Sequence, residues 1–265
     1  MTLVVQKPSG AKLLMRQTWA PADTDAAAYI AAVEAADGQA LEEKTRKAID
    51  DFVLGCKQDG IWSAIKASCI LAGARTLTGA LVPLVGAAPT NNNFVSGDYN
   101  RKTGLIGNGS TKYLNSNRAA NADPTSNFHA AVQLSTVGTG DSRYIGAYSG
   151  PGTADDFLSV LGDLRNRSVD TPSNVTVAAG LYGTARTSST AFTVRSNANT
   201  VTGLTSTAVA PGSQNHFVFA QNDRGSAFTP VNSRLAFYSI GESLDLTLLD
   251  ARVTQLITTF AAVIP

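Results

Sequence analysis

Charge is scarce in this sequence. Of its 265 residues 15% are Asp, Glu, Lys or Arg, and 21 basic side chains against 20 acidic ones leave a net charge of +1. An average domain carries roughly 25% charged residues. Near-neutrality argues against nucleic-acid binding driven by bulk charge and against an acidic disordered tail. Glutamate is missing between Glu43 and Glu242, and every Lys or Arg position from 113 to 240 is Arg. No long apolar run survives uninterrupted. The longest, Ile61 to Pro89, is broken by Lys66, Gly73, Arg75 and Pro83, so no membrane insertion is expected. Met1 to Pro8 has no basic region ahead of an apolar core, which argues against a signal peptide and for synthesis in a cytoplasm. The two cysteines, Cys56 and Cys69, fit that compartment as reduced, buried thiols, a disulfide between neighbouring helices being the other reading.

What is present is Ser, Thr, Asn and 23 Gly, a turn-rich polar composition that favours β structure. Four textures follow one another. In residues 1–20, Leu3-Val4-Val5 and Leu13-Leu14-Met15 read as short strands around a Pro8-Ser9-Gly10 turn, a terminal β arm ending at Trp19. Residues 21–76 read as helical. Thr24 or Asp25 caps a first helix ended by Gly38, a second runs from Leu41 to a stop at Gly55, and Ile61, Ala64, Ile65, Ser68, Cys69 and Ala72 form a third stripe. Residues 77–240 offer short runs punctuated by turns: 128–134, 143–148, 176–182, 191–195, 216–220 and 235–240, with a helical period only over 154–164. Such a pattern indicates antiparallel sheets packed face to face. In residues 241–265, Ser243 caps a helix whose stripe is Leu246, Leu249, Val253, Leu256, Ile257 and Phe260. That stripe covers a sheet or meets a partner.

Little of this carries chemistry. His129 and His216 each lie within a predicted strand without a nearby Cys or second His, which argues against zinc. No Gly-x-Ser-x-Gly elbow is present. The run Gly104-Leu-Ile-Gly-Asn-Gly109 has neither dinucleotide nor P-loop spacing and reads as a tight turn into a strand. Asp155 and Asp156 are adjacent, so a strand would point them to opposite faces, which spoils them as a glycosidase pair. Asp141, Asp163, Asp170 and Asp223 sit in or near turns and could offer oxygens to calcium, but no loop has regular ligand spacing. No cofactor is expected, with calcium as the one ion to consider. The arginines are the unusual feature: Arg forks suit interfaces and sugar acids, and tyrosines stack on sugar rings. Arg143, Tyr144, Tyr148, Arg186 and Arg224 are therefore the candidate ligand or interface residues. Leu3, Val4, Val5, Leu13, Leu14 and Trp19 are the candidate assembly contacts, because a β arm can add a strand to a neighbour.

Three blocks carry a family resemblance. Tyr99 to Asn117, containing Gly104-Leu-Ile-Gly-Asn-Gly-Ser-Thr-Lys-Tyr-Leu114, resembles the opening of concanavalin A-like, laminin-G-like sandwich domains. Arg234 to Asp245 resembles their closing strand and following helix. Asp51 to Trp62 with Ile70 to Leu77 resembles an element joined to such domains in tailed-bacteriophage virion proteins. The resemblance spans about Asp25 to Phe260. It implies a mainly β fold with a small helical N-terminal element, an antiparallel concanavalin A-like β-sandwich (jelly roll) and a C-terminal helix. It further implies a non-enzymatic virion structural protein, on the tail and its fibres or decorating the head. The partners would be other virion proteins, further copies in a homo-oligomer, and host-surface carbohydrate. A lectin-like receptor-binding module is the first alternative and a polysaccharide depolymerase the second.

Overall fold

The computed structural model describes residues 19–170 and 175–265. Leu3, Val4, Val5, Leu13 and Leu14 thus lie outside the described residues, and Trp19, the first of them, is half-buried. Four helices are α1 (Thr24–Asp37), α2 (Glu43–Gln58), the single turn α3 (Leu77–Ala80) and α4 (Leu246–Val263). Sixteen strands are β1 (Ile65–Ile70), β2 (Thr90–Asn92), β3 (Tyr99–Asn100), β4 (Gly104–Ile106), β5 (Tyr113–Ala119), β6 (Phe128–Thr136), β7 (Arg143–Tyr148) and β8 (Asp155–Ser159), then β9 (Leu164–Ser168), β10 (Gly180–Arg186), β11 (Ala191–Ser196), β12 (Asn199–Thr205), β13 (Asn215–Val218), β14 (Gln221–Asp223), β15 (Ser226–Phe228) and β16 (Arg234–Gly241).

The strands form two sheets, as expected for a β-sandwich with a C-terminal helix. The first has the order β12-β11-β10-β6-β16-β4-β3, with β1 also paired to β16. The second has the order β15-β14-β7-β13-β5-β2, with β8 on β7 and β9 on β8. All pairings are antiparallel except β14 on β7. Alternation along each strand gives two cores. Leu105, Leu114, Val132, Tyr144, Tyr182, Phe219 and Tyr238 fill the space between the sheets. Ile30, Phe52, Phe237, Leu249, Val253 and Phe260 fill the space between the first sheet and the helices. The molecule is therefore three layers: helices, first sheet, second sheet.

Local chemistry fixes the helical layer. The cap of α1 is Asp23, one residue before the expected pair, and its carboxylate accepts from Asp25 N and Ala26 N. The same carboxylate takes Lys57 Nζ at 2.7 Å, which ties α1 to α2. Gly38 closes α1 at φ 64, as read from the sequence. Gly55 does not stop α2. It lies inside the helix under the Arg252 side chain of α4, where a Cβ would sit 2.7 Å from the guanidinium and would have to displace it. Asp245, not Ser243, caps α4. By length and composition α4 would suffice to cross a membrane. In the structure it packs on α2 and β10.

Two segments depart from the helical reading. Ile65–Ile70 is a strand paired with β16. It is buried on both faces, between the sandwich core and the helices, so its apolar positions do not alternate and happen to fall at helical spacing. Residues 154–164 are β8, a turn and the start of β9, again nearly all buried. Gly104, at φ 93, makes the tight entry into β4, where a Cβ would meet the Leu235 carbonyl at 2.0 Å.

Candidate functional site

His129 Nε2 lies 2.7 Å from Ser239 Oγ, and its Nδ1 lies 2.5 Å from the Glu242 carbonyl. That is the spacing of a base and its nucleophile. Both side chains are fully buried, on the face of the first sheet that meets the helices. Burial pushes His129 down to about 4, so the ring is a neutral structural link. Asp155 and Asp156 do point to opposite faces of β8: Asp156 meets Arg167 in the interior, and Asp155 meets Arg165 on the outside. They cannot share a substrate. Cys56 and Cys69 are free and buried, and burial pushes both thiols up to about 12, out of nucleophilic range. Among the described residues no three metal-ligating side chains come together.

The helices cover the outer face of the first sheet. The outer face of the second sheet carries no such layer among the described residues, and it holds a built surface. On β5 and β13, Tyr113 stacks on Phe217 with ring centroids 4.6 Å apart. On β8, Phe157 lies between two guanidiniums, with Arg143 of β7 at 4.3 Å and Arg165 of β9 at 5.4 Å from its ring centroid. Arg165 Nη1 donates to Asp155 at 2.7 Å, and Gln221 of β14 donates to the other oxygen of that carboxylate. Burial raises Asp155 to about 6 against the opposing pull of Arg165. Gly146 stands in register with Phe157 and Phe217, and Phe157 and Gln221 close over it: a Cβ there would lie 2.9 Å from Phe157 Cβ and 3.1 Å from Gln221 Cγ. Arg143 also pairs with Asp141. The face is a flat array of aromatic, guanidinium, amide and carboxyl groups, the chemistry of a contact surface for polyols and polar protein surfaces.

Three of the five predicted ligand residues fall here. Arg143 and Tyr148 are on β7, and Arg224 follows β14, its backbone N–H donating to the Tyr148 carbonyl at 2.9 Å. Arg224 pairs with Asp223 at 2.8 Å and remains exposed. The other two do not reach a surface. Tyr144 is fully buried between the sheets, meeting Tyr182 edge-on at 6.0 Å. Arg186 is also fully buried and spends its N–H groups on the carbonyls of Asn166, Ser188 and Ser206. An Arg at a strand end reads as exposed from sequence, and nothing in its neighbours signals the interior. Sequence reasoning missed Phe157, Arg165, Gln221 and the Tyr113–Phe217 pair. The alternation of Asp155 and Phe157 on one face of β8 was the available signal.

No family model and no curated protein matches the chain. Solved structures do match it. A mutant Trypanosoma rangeli sialidase displaying trans-sialidase activity aligns at TM-score 0.45 and 14% identity, over 80% of this chain and 39% of its own. Domain 4 of AbnA, a GH43 extracellular arabinanase from Geobacillus stearothermophilus in complex with arabinotriose, aligns at TM-score 0.33 and 13% identity, over 63% of this chain and 82% of that one. A leech intramolecular trans-sialidase aligns at TM-score 0.32 and 10% identity, over 67% of this chain and 28% of its own. The chain thus spans about two fifths of the Trypanosoma sialidase. Its sandwich architecture rests on the strand pairings given above.

Proposed function

We propose that this chain is a non-enzymatic structural component of a tailed-bacteriophage particle, serving in assembly and host-surface attachment through the open face of its second sheet. The observation that supports this reading is the asymmetry of the sandwich. One sheet is covered by the protein's own helices, while the outer face of the other carries the half-buried Tyr113, Arg143 and Arg165 packed over the buried rings of Phe217 and Phe157. The particle context comes from the three resembling sequence blocks. The lectin-like reading has its own support in the stacked Tyr113 ring, which offers a flat face to a sugar.

Two measurements test the reading. Gold-labelled antibody against the protein should decorate purified particles in electron micrographs, and particles without label would overturn the virion assignment. Tyr113→Ala and Phe157→Ala in the free protein should each weaken adsorption to host cells at least tenfold. Unchanged adsorption would remove the open face from attachment. Displacement of the wild type by soluble host polysaccharide would select the lectin reading, and release of reducing ends would select the depolymerase.

A further inference from the structure

The sandwich interior holds more positive than negative charge. Arg118 closes on Asp123, Nε donating to Oδ2 at 2.8 Å. Arg167 closes on Asp156, with Nη1 donating to Oδ2 at 2.8 Å and the backbone N–H donating to Oδ1 at 2.5 Å. Arg186 has no carboxylate. Its Nε donates to the Asn166 carbonyl at 2.9 Å and its Nη1 to the carbonyls of Ser188 and Ser206 at 3.1 and 2.9 Å. Arg167 and Arg186 are 0% exposed; Arg186 feels the charges of Asp156 and Arg167, and Arg167 those of Asp156, Asp123 and Arg118. The five groups therefore leave one guanidinium charge uncompensated before any proton on His216 is counted.

Donors are left over as well. Arg167 Nε and Nη2, Arg186 Nη2 and both His216 ring nitrogens have no hydrogen-bond partner among the described residues, and neither do Asn166 Oδ1 and Ser206 Oγ beside Arg186. The groups belong to one cluster. His216 Nε2 is 3.4 Å from Asp156 Oδ2, the His216 ring stacks on Phe128 at 5.3 Å, and Arg167 lies 3.8 Å above that same Phe128 ring. Arg186 sits opposite Phe128 in the β10–β6 register and lies over Phe192 at 5.1 Å. Aromatic faces offer these cations some attraction, but no acceptor for an in-plane N–H. Buried polar groups are almost always paired, and a buried charge is costly unless it is compensated.

We propose that the interior binds one small monovalent anion, of the size class of chloride, held by the free N–H groups of Arg167 and Arg186. Water would satisfy the donors and leave the charge; an anion satisfies both. Full burial of both side chains excludes a large or polyatomic ligand. The site faces inward and is independent of the attachment surface.

Two experiments on the whole chain test it. Crystals grown in sodium bromide should show an anomalous peak in contact with Arg167 Nη2 and Arg186 Nη2. In solution, Tm should rise by about 4 °C or more between 1 and 100 mM chloride, against gluconate at matched ionic strength. Arg186→Met removes the surplus charge, and a folded variant should lose this dependence on chloride. If that variant fails to fold, the bromide map of the wild type decides. A water-only map with the same Tm in chloride and gluconate would overturn the proposal. So would a chloride dependence that persists in Arg186→Met.

Discussion

His129 is sealed beneath the helices, and its ordinary value of 6.5 falls to about 4. Below about pH 6.5 the unfolded chain takes up a proton that the folded chain refuses until about 4, so this group lowers stability as pH falls through that window. Asp155 acts in the opposite sense. Burial lifts it from 3.8 to about 6, so between those values the folded chain holds a proton that the unfolded chain has released. Its contribution to stability therefore grows as pH falls. Each slope is at most about 1.4 kcal/mol per pH unit, and the two nearly cancel. Against the wild type, Asp155→Asn should lose more stability between pH 6.5 and 4, and His129→Gln should lose less. Urea denaturation at a series of pH values measures this, and three parallel curves would refute it. At this scale the sequence was only partly legible. The opposite orientations of Asp155 and Asp156 followed from strand alternation alone. The burial of Arg167 and Arg186 did not, because it depends on which long-range neighbours supply Asp156 and the carbonyls.

Among the elements, α4 shows how a stripe finds its sheet. The sequence gives the stripe but not its target, which is α2 and the first sheet. Phe260 is the end anchor. It is fully buried, and Gly73, at φ 87, leaves its ring room, since a Cβ there would stand 2.6 Å from it. Phe260→Ala should cost about 3–5 kcal/mol by opening a cavity between α4 and the β1–α3 turn. Chemical denaturation reads the loss, and a cost under 1 kcal/mol would mean that the end of α4 is not part of the cooperative core. A strand with one more exposed face, such as β11, was legible in sequence with nearly correct bounds. β1 and β8 were not, because burial on both faces erases the period of two that identifies a strand.

At the scale of the whole molecule, the order of helices, sheets and helix along the described residues was legible from composition and turn spacing. Which face of the sandwich stays open was not, since it depends on where the helices return. β16 carries the larger consequence. It lies between β6 on one side and β1 with β4 on the other, and its Tyr238 hydroxyl meets Cys69, 169 residues earlier in the chain. The strand at the centre of the first sheet is therefore made after β1, β4 and β6, the strands it joins. Until it emerges, β1 and β4 are not tied to β6, whose other edge is held by β10. Joining β1 and β4 to β6 must await synthesis of β16, and the waiting strands are apolar edges open to association. Nascent chains stalled after residue 230 should remain protease-sensitive across β1, whereas chains that include β16 and α4 become protected there. Protection of the stalled chains would show that the sheet assembles without its central strand.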